Sequence, residues 1–192
     1  MTQQLPELKV SCTDSRCDEN LHCFRPRRSN GDSRPVCREC GADLVDWEEL
    51  YKRDIDKEAL LFSELPKELI RHHYWHMRLP DEVIAKALRA SPHTLAKRTK
   101  RAVSKRVAAP SSELWRDGAQ TPSAHSVGAQ IYFCGMHAVA ACCRKCMEYW
   151  HGIPREQPLS EEDALYFQTL VWHYVCLRLD HHEWFGVIDE IH

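Results

Sequence analysis

"HAVAACCRKCMEYWHG", residues 137–152, places three cysteines and two histidines in one short run, and its reading decides how the second half of the chain folds. The apolar and small residues suit a helix from about 138, which Gly152 and Pro154 would stop. On a regular helix Cys142, Cys143, Cys146 and Trp150 fall within an arc of about 100°. Two residues separate Cys143 from Cys146 and four more precede His151, the spacing of the first three ligands in small zinc knuckles. His137, Cys143, Cys146 and His151 are therefore the expected zinc ligands, with Cys142 close by. His151 reaches the set because the chain can swing back at Gly152, and His137 joins from a turn ahead of the helix. The competing reading is a packed cysteine face, since free cysteine is among the most buried residue types.

Enzymatic readings of the same run divide by chemistry. A zinc deaminase carries His-x-Glu ahead of a distant Pro-Cys-x-x-Cys, and Val139 stands where the Glu is required. A nucleophile at Cys142 or Cys143 with His137 or His151 as its base fits the composition. Three protein ligands plus a water would make a hydrolytic metal site, with Glu148 or Asp117 as base. Spacing selects none of these, so no catalytic residue is assigned. His173 and Cys176, three apart near the chain's end, form a secondary candidate pair, while "RHHYWH" and "DHHEW" read as surface or core histidines.

A second cysteine cluster lies at the other end. Four residues separate Cys12 from Cys17 and two separate Cys37 from Cys40, with Gly41 next. The Cys37–Cys40 pair is a knuckle whose glycine takes the backbone where a Cβ would clash. Residues 10–46 are poor in aliphatic side chains and lack a core of their own, so a metal must supply the folding energy. The layout predicts a zinc ribbon with Cys12, Cys17, Cys37 and Cys40 as ligands. His22 and Cys23 are spare, and either can displace Cys12 or Cys17.

Between the clusters the pattern is helical. Ser63 is an expected cap for "ELPKELIRHHYWHM", "PDEVIAKALRA" follows, and Ser91-Pro92 opens "PHTLAKRTKRAVSKRV". In that last helix Leu95, Thr99, Ala102, Val103 and Val107 share one face and basic residues cover the other. From Ile84 to Val107 there are eight Lys and Arg and no acid, whereas from Glu156 onward there are eight acids and only Arg178 is basic. The helix pair resembles a helix-turn-helix, and Lys97, Arg98, Lys100, Arg101, Lys105 and Arg106 are the expected nucleic-acid contacts. Residues 108–130 are punctuated by Pro, Gly and Ser and read as a long functional loop. "IYFCGMH" reads as a short strand-like or buried run, and "LSEEDALYFQTLVWHYVCLRLDHHEW" as a closing long helix capped by Ser160 with Asp163.

The opening "MTQQLPELKVSC" lacks the basic start and apolar run of a signal peptide, and no apolar stretch is long enough to span a bilayer. A cytoplasmic location, where thiols stay reduced and clustered cysteines read first as metal ligands, is the expectation. The fold class is mainly α: a zinc ribbon over 10–46, a helical region with the basic pair over 47–107, and a Cys/His-rich helical domain over 108–192.

"DGAQTP" followed by "VGAQIYFCGMHAVAACCRKCMEYWHGIP" and "PLSEEDALYF" resembles an uncharacterised bacterial family, the domain of unknown function 4186, over about 98–178. The resemblance marks Asp117, Gly118, Gln120, Thr121, Pro122, His137, Cys142, Cys143, Cys146, Trp150 and His151. This chain departs from that pattern at Met136, where the family has Gln, and at Val139 and Ala141, where it has Thr. The resemblance implies a fold unit and carries no activity. From the residues, the expected function is a zinc-binding, nucleic-acid-binding component of a larger bacterial assembly. A metal-dependent hydrolase or nuclease centred on the His137–His151 cluster is one alternative. A protein-interaction adaptor, with protein partners and no membrane, is the other.

Overall fold

The helix α8 (Glu161–Leu179) is buried on nearly every side, through Tyr166, Phe167, Leu170, Val171, Trp172, Tyr174, Val175 and Cys176. A helix apolar all round belongs in the centre of a bundle, and the other helices are arranged about it. In the computed structural model of the chain, which describes residues 10–26, 35–126 and 128–191, α8 is flanked by α5 (Pro92–Val107) and α6 (Ile131–Ala138). Ahead of these come α1 (Trp47–Leu50), α2 (Glu58–Glu64), α3 (Leu69–His76) and α4 (Asp81–Leu88). α7 (Arg144–His151) lies between α6 and α8 in sequence. Among the described residues the fold is mainly helical and contains no strand, only isolated bridges joining Arg16 to Leu21 and His22 to Glu68. "RRSNGDSR", residues 27–34, a turn-forming run between the two cysteine pairs, lies outside the described residues. No helix among them is long and apolar enough to cross a membrane.

Most caps are those the side chains predict. The Ser91 hydroxyl accepts the Thr94 N–H at 3.2 Å, and the Ser160 hydroxyl accepts the Asp163 N–H at 3.0 Å, each satisfying an orphan donor of a helix's first turn. Ser63 is different: it sits inside α2 and donates to Leu60 O, because the helix before it starts earlier and runs into a 3-10 turn at Leu65–Lys67. α8 also ends sooner than its apolar pattern suggests. Asp180 takes a left-handed φ of 59°, and the chain continues as a 3-10 helix over His182–Ile188.

The decisive departure lies between 131 and 152. The run from 131 is buried, as one of its two readings had it, but helical, and in place of a single helix from 138 there are two short helices, α6 and α7, joined by a break at Val139–Cys143. α6 is helical because both its flanks are covered, and a lone strand there would leave its ladder groups unpaired. Gly135 permits the close approach to α8: a Cβ built on it would stand 2.9 Å from Tyr174 Cδ1 and 3.1 Å from Val171 Cγ1. At the break Ala140 takes φ 57°, and residues 138–141 are fully buried.

The amino-terminal segment docks onto this bundle. His22 N–H donates to Lys67 O at 2.7 Å and Leu69 N–H donates to His22 O at 2.9 Å. Phe24, fully buried, meets Trp47 edge-on at 5.5 Å and Trp150 at 5.8 Å, and these two indoles pack at 5.1 Å. The segment thus borrows an aromatic core from α1 and α7.

Gly135→Ala should destabilise the protein by about 1–3 kcal/mol, since overpacking against two fixed side chains outweighs the helix propensity gained. The urea midpoint of the variant, read against wild type, checks this.

Candidate functional site

Ten cysteines are unpaired, and most of them gather at two places. At the first, Cys17, His22, Cys37 and Cys40 present their ligand atoms within 4.8 Å of one another. Cys17 Sγ and Cys37 Sγ are 3.7 Å apart, and His22 Nδ1 lies 3.4 Å from Cys40 Sγ. A tetrahedral zinc with bonds of about 2.3 Å separates its sulfurs by about 3.8 Å, so these spacings suit one ion. The other histidine nitrogen, Nε2, lies 3.1 Å from Asn20 Oδ1, which orients the ring and leaves Nδ1 to face the thiols. Burial raises the Cys37 pKa, but the backbone N–H groups of Cys23, Cys40 and Glu39 outweigh it and hold the thiol at about 6. That is knuckle chemistry: amides aimed at a thiolate. Gly41 follows with φ 76°, its N–H donating to Cys37 O at 2.8 Å.

Cys12 is not in this set. His22 takes its place because the bridge to Lys67 and Leu69 turns the histidine inward, while Cys12 is carried to the second cluster. Cys23 joins neither; its thiol donates to Cys12 O at 3.5 Å.

The second cluster is Cys142, Cys143 and Cys146, all buried and within 4.8 Å of one another. Cys146 Sγ lies 3.5 Å from Cys142 Sγ and 3.3 Å from Cys143 Sγ. The break between α6 and α7 makes this possible. Cys143 becomes the N-cap of α7, its sulfur accepting the Cys146 N–H at 3.4 Å, and Cys142 is released from helical phase. Cys12 meets the same group through Cys146: contact with the Cys12, Cys142 and Cys143 thiols, reinforced by Arg71, holds Cys146 well below the usual thiol range.

His137 and His151 stand apart from the thiols as supports. His137 Nε2 lies 3.2 Å from Thr121 O, and its ring stacks on Tyr74 at 4.6 Å. His151 Nε2 lies 2.9 Å from Val139 O and its Nδ1 3.4 Å from the Tyr166 hydroxyl. Desolvation pushes both rings down to about 4, so each is neutral at pH 7. His173 pairs with Glu58 at 2.6 Å and stacks on Phe185, away from either cluster.

Around the second cluster runs a buried polar network that spacing alone does not reveal. Arg71 is fully buried; its Nε donates to Glu68 Oε2 at 3.0 Å, and its Nη2 donates to Cys146 Sγ at 3.1 Å and to the Tyr149 hydroxyl at 3.2 Å. Its Nη1 donates to His137 O and lies 3.7 Å from Cys142 Sγ. Glu68, also fully buried, accepts the Trp150 indole N–H at 2.7 Å and the Tyr149 hydroxyl at 3.1 Å. The only sequence signal for this pair is its i,i+3 spacing beside Leu69 and Ile70.

The loop after α5 covers the cluster. Asp117 Oδ1 accepts the Arg144 N–H at 2.9 Å, its Oδ2 accepts the Ser111 hydroxyl at 2.9 Å, and Thr121 donates to Cys142 O at 2.9 Å. Gly118, at φ 100°, lies so near that a Cβ there would be 3.7 Å from Cys143 Cβ. Arg144 is buried beneath, donating to Val107 O, Pro154 O and Gln157 O at 2.9–3.0 Å. Glu148, the other residue considered as a base, is engaged with Arg155 on the surface.

Residues 59–176 match the family described as Domain of unknown function (DUF4186). This chain belongs to that family. The match begins at 59, well before the stretch near 98 from which the resemblance is legible, and so takes in α3, α4 and α5 as well as the second thiol cluster. No solved structure matches the chain. The first cluster and Cys12 lie outside the DUF4186 match.

The DUF4186 domain also carries the basic residues. Lys97, Arg98, Arg101 and Lys105 are exposed along α5; Lys100 is half-buried with its Nζ on Ile191 O, and the Arg106 guanidinium lies 4.5 Å from the Phe133 ring centre. A groove of about 500 Å³ runs between α5 and the start of α6, lined by Arg98, Arg101, Lys105, Arg106, Gln120, Tyr132 and Phe133. A second depression of about 380 Å³ lies across Arg98, bounded by Lys86, Arg89 and Gln130. Among the described residues, no acid lines either.

Arg71→Met should cost about 3–5 kcal/mol of stability, because it takes the cation from a buried carboxyl whose pKa desolvation already raises, and leaves several buried acceptors without their donor; chemical denaturation measures it. His137 and His151 should titrate near pH 4 in the folded protein, as read by histidine ring NMR. Each depressed pKa adds stability that is full above about 6.5, the unfolded value, and is lost as pH falls toward 4.

Proposed function

We propose that this protein binds nucleic acid along the groove between α5 and α6, as a zinc-stabilised component of a larger assembly. The observation that carries the reading is the composition of that groove: four cationic side chains, Arg98, Arg101, Lys105 and Arg106, beside Tyr132 and Phe133. Arginine forks match phosphate oxygens, and adjacent aromatic rings offer faces on which bases stack. Lys86 and Arg89 extend the same charge past Arg98. The arrangement of α4 and α5, short helix then long basic helix, supports docking against a nucleic-acid backbone. The acidic carboxy-terminal residues border it, Glu190 pairing with His93 at 2.9 Å near the start of α5, and would limit the contact at that end.

The metal reading rests on the donor sets. Cysteine and histidine donors at tetrahedral spacing favour zinc, and three thiolates with one imidazole complete a closed structural site at Cys17, His22, Cys37 and Cys40. So many unpaired thiols fit a reducing compartment, and the cytoplasm is the location we assign. Hydrolysis is disfavoured by the engagement of both Asp117 oxygens with the loop and with α7.

Binding to labelled single-stranded and duplex oligonucleotides, measured across a salt series, tests the function. Affinity should fall steeply with salt, and replacing Lys97, Arg98 and Arg101 by Ala should reduce the log–log slope by about 2–3, roughly one for each phosphate no longer neutralised. Replacing Tyr132 by Ala should weaken single-strand binding by about 1–3 kcal/mol with little change in slope. A parent protein that binds neither form at low salt overturns the reading and leaves the protein-adaptor alternative.

A further inference from the structure

We propose that Cys12, Cys142, Cys143 and Cys146 hold a second zinc ion, and that this ion clasps the amino-terminal segment to the DUF4186 domain. Three of the four sulfurs are already gathered by the break between α6 and α7, with separations of 3.3 and 3.5 Å from Cys146. These distances far exceed the roughly 2.05 Å of a disulfide and suit a single tetrahedral ion. They leave no room for the additional irons and sulfides of a cluster. The missing corner is offered from outside the domain: Cys12 lies outside the set of three sulfurs that are within 4.8 Å of one another but meets it at Cys146, and the ion would draw its thiol in. Its backbone is fixed there by the Cys23 thiol on Cys12 O.

A packed cysteine face is apolar and needs no counter-charge. This cluster has one. The fully buried Arg71 guanidinium donates to Cys146 Sγ at 3.1 Å and lies 3.7 Å from Cys142 Sγ, so these sulfurs serve as acceptors for a cation in the core. A zinc held by four thiolates carries a net charge of about −2, and the Arg71 guanidinium, shared with the Glu68 carboxylate, offsets part of it. Thr121 on Cys142 O and Arg71 on His137 O fix the backbone that carries the ligands, the outer support that metal sites use. Binding releases the remaining thiol protons to solvent, so the site fills more tightly as pH rises. With four sulfurs the shell is closed, and the ion's role is to join two parts of the chain.

The inference is independent of what the basic groove binds. His137 is the rival fourth ligand, since its buried Nδ1 has no hydrogen-bond partner among the described residues. The test is zinc content per chain, by mass spectrometry of the full-length protein after dialysis against a mild chelator, with circular dichroism to confirm folding. Wild type should retain two ions, Cys12→Ser one, and Cys40→Ser one. Cys40→Ser loaded with cobalt isolates the second site, and adding Cys12→Ser should remove about a quarter of the sulfur-to-cobalt absorbance or abolish uptake. If Cys40→Ser does not fold, His22→Ala takes its place. A single wild-type zinc that Cys12→Ser removes and Cys40→Ser spares supports the clasp while refuting the first site. Two ions held by Cys12→Ser as firmly as by wild type, or loss of the second ion in His137→Ala with Cys12→Ser unaffected, overturns the proposal.

Discussion

A guanidinium sealed inside a helical bundle has to be answered on every side, and Arg71 sets the terms for much of this structure. Its fork reaches the Glu68 carboxylate, the His137 carbonyl, the Tyr149 hydroxyl and two thiols. These partners come from four pieces of the fold: Glu68 just ahead of α3, His137 at the end of α6, Cys142 in the break, and Cys146 and Tyr149 in α7. A buried charge that loses one partner costs several kcal/mol, so the pieces are held in a single register. The thiol cluster gives Arg71 two of its neighbours, Cys146 from α7 and Cys142 from the break, and it is the break that frees Cys142 from helical phase to stand beside Cys146.

The motif residues of the family divide sensibly on this frame. Asp117, Gly118 and Thr121 form a strap across the break, capping the first N–H of α7, lying against Cys143 and holding Cys142 O. Arg144 ties the same helix to the end of α5 and to the loop after Gly152. His137 and His151 are neutral props at the two sides of the break, and Trp150 anchors Glu68. One small region thus uses nearly all of the polar motif, and its shared purpose is to satisfy the carbonyls and sulfurs of a fully buried turn.

What the sequence made legible follows from local rules. Ser91 and Ser160 declared their helices through capping chemistry, and the apolar face of α5 was visible in its spacing. The knuckle at Cys37–Cys40 was likewise readable, because its geometry is local. The break at Val139–Cys143 was not, since Ala140 at φ 57° has no glycine to announce it and is stabilised by partners far away in sequence. The exchange of Cys12 for His22 was legible only as an alternative, because what selects it is a backbone bridge to Lys67 and Leu69. Arg71 and Glu68 resembled any surface i,i+3 pair; their burial is a tertiary fact.

The meeting of Cys12 with Cys146 has a consequence for how the protein is made. Cys17, His22, Cys37 and Cys40, together with the Lys67–Leu69 backbone that turns His22 inward, lie early in the chain and can close while synthesis continues. Cys12 has to wait for a partner that is synthesised much later, and through that interval its thiol is in open solution. Loop closure across most of a chain is slow and entropically costly, so this contact belongs among the last to form. An oxidant met by a nascent chain would find Cys12 first, and the damage would fall on the seam between two otherwise finished halves.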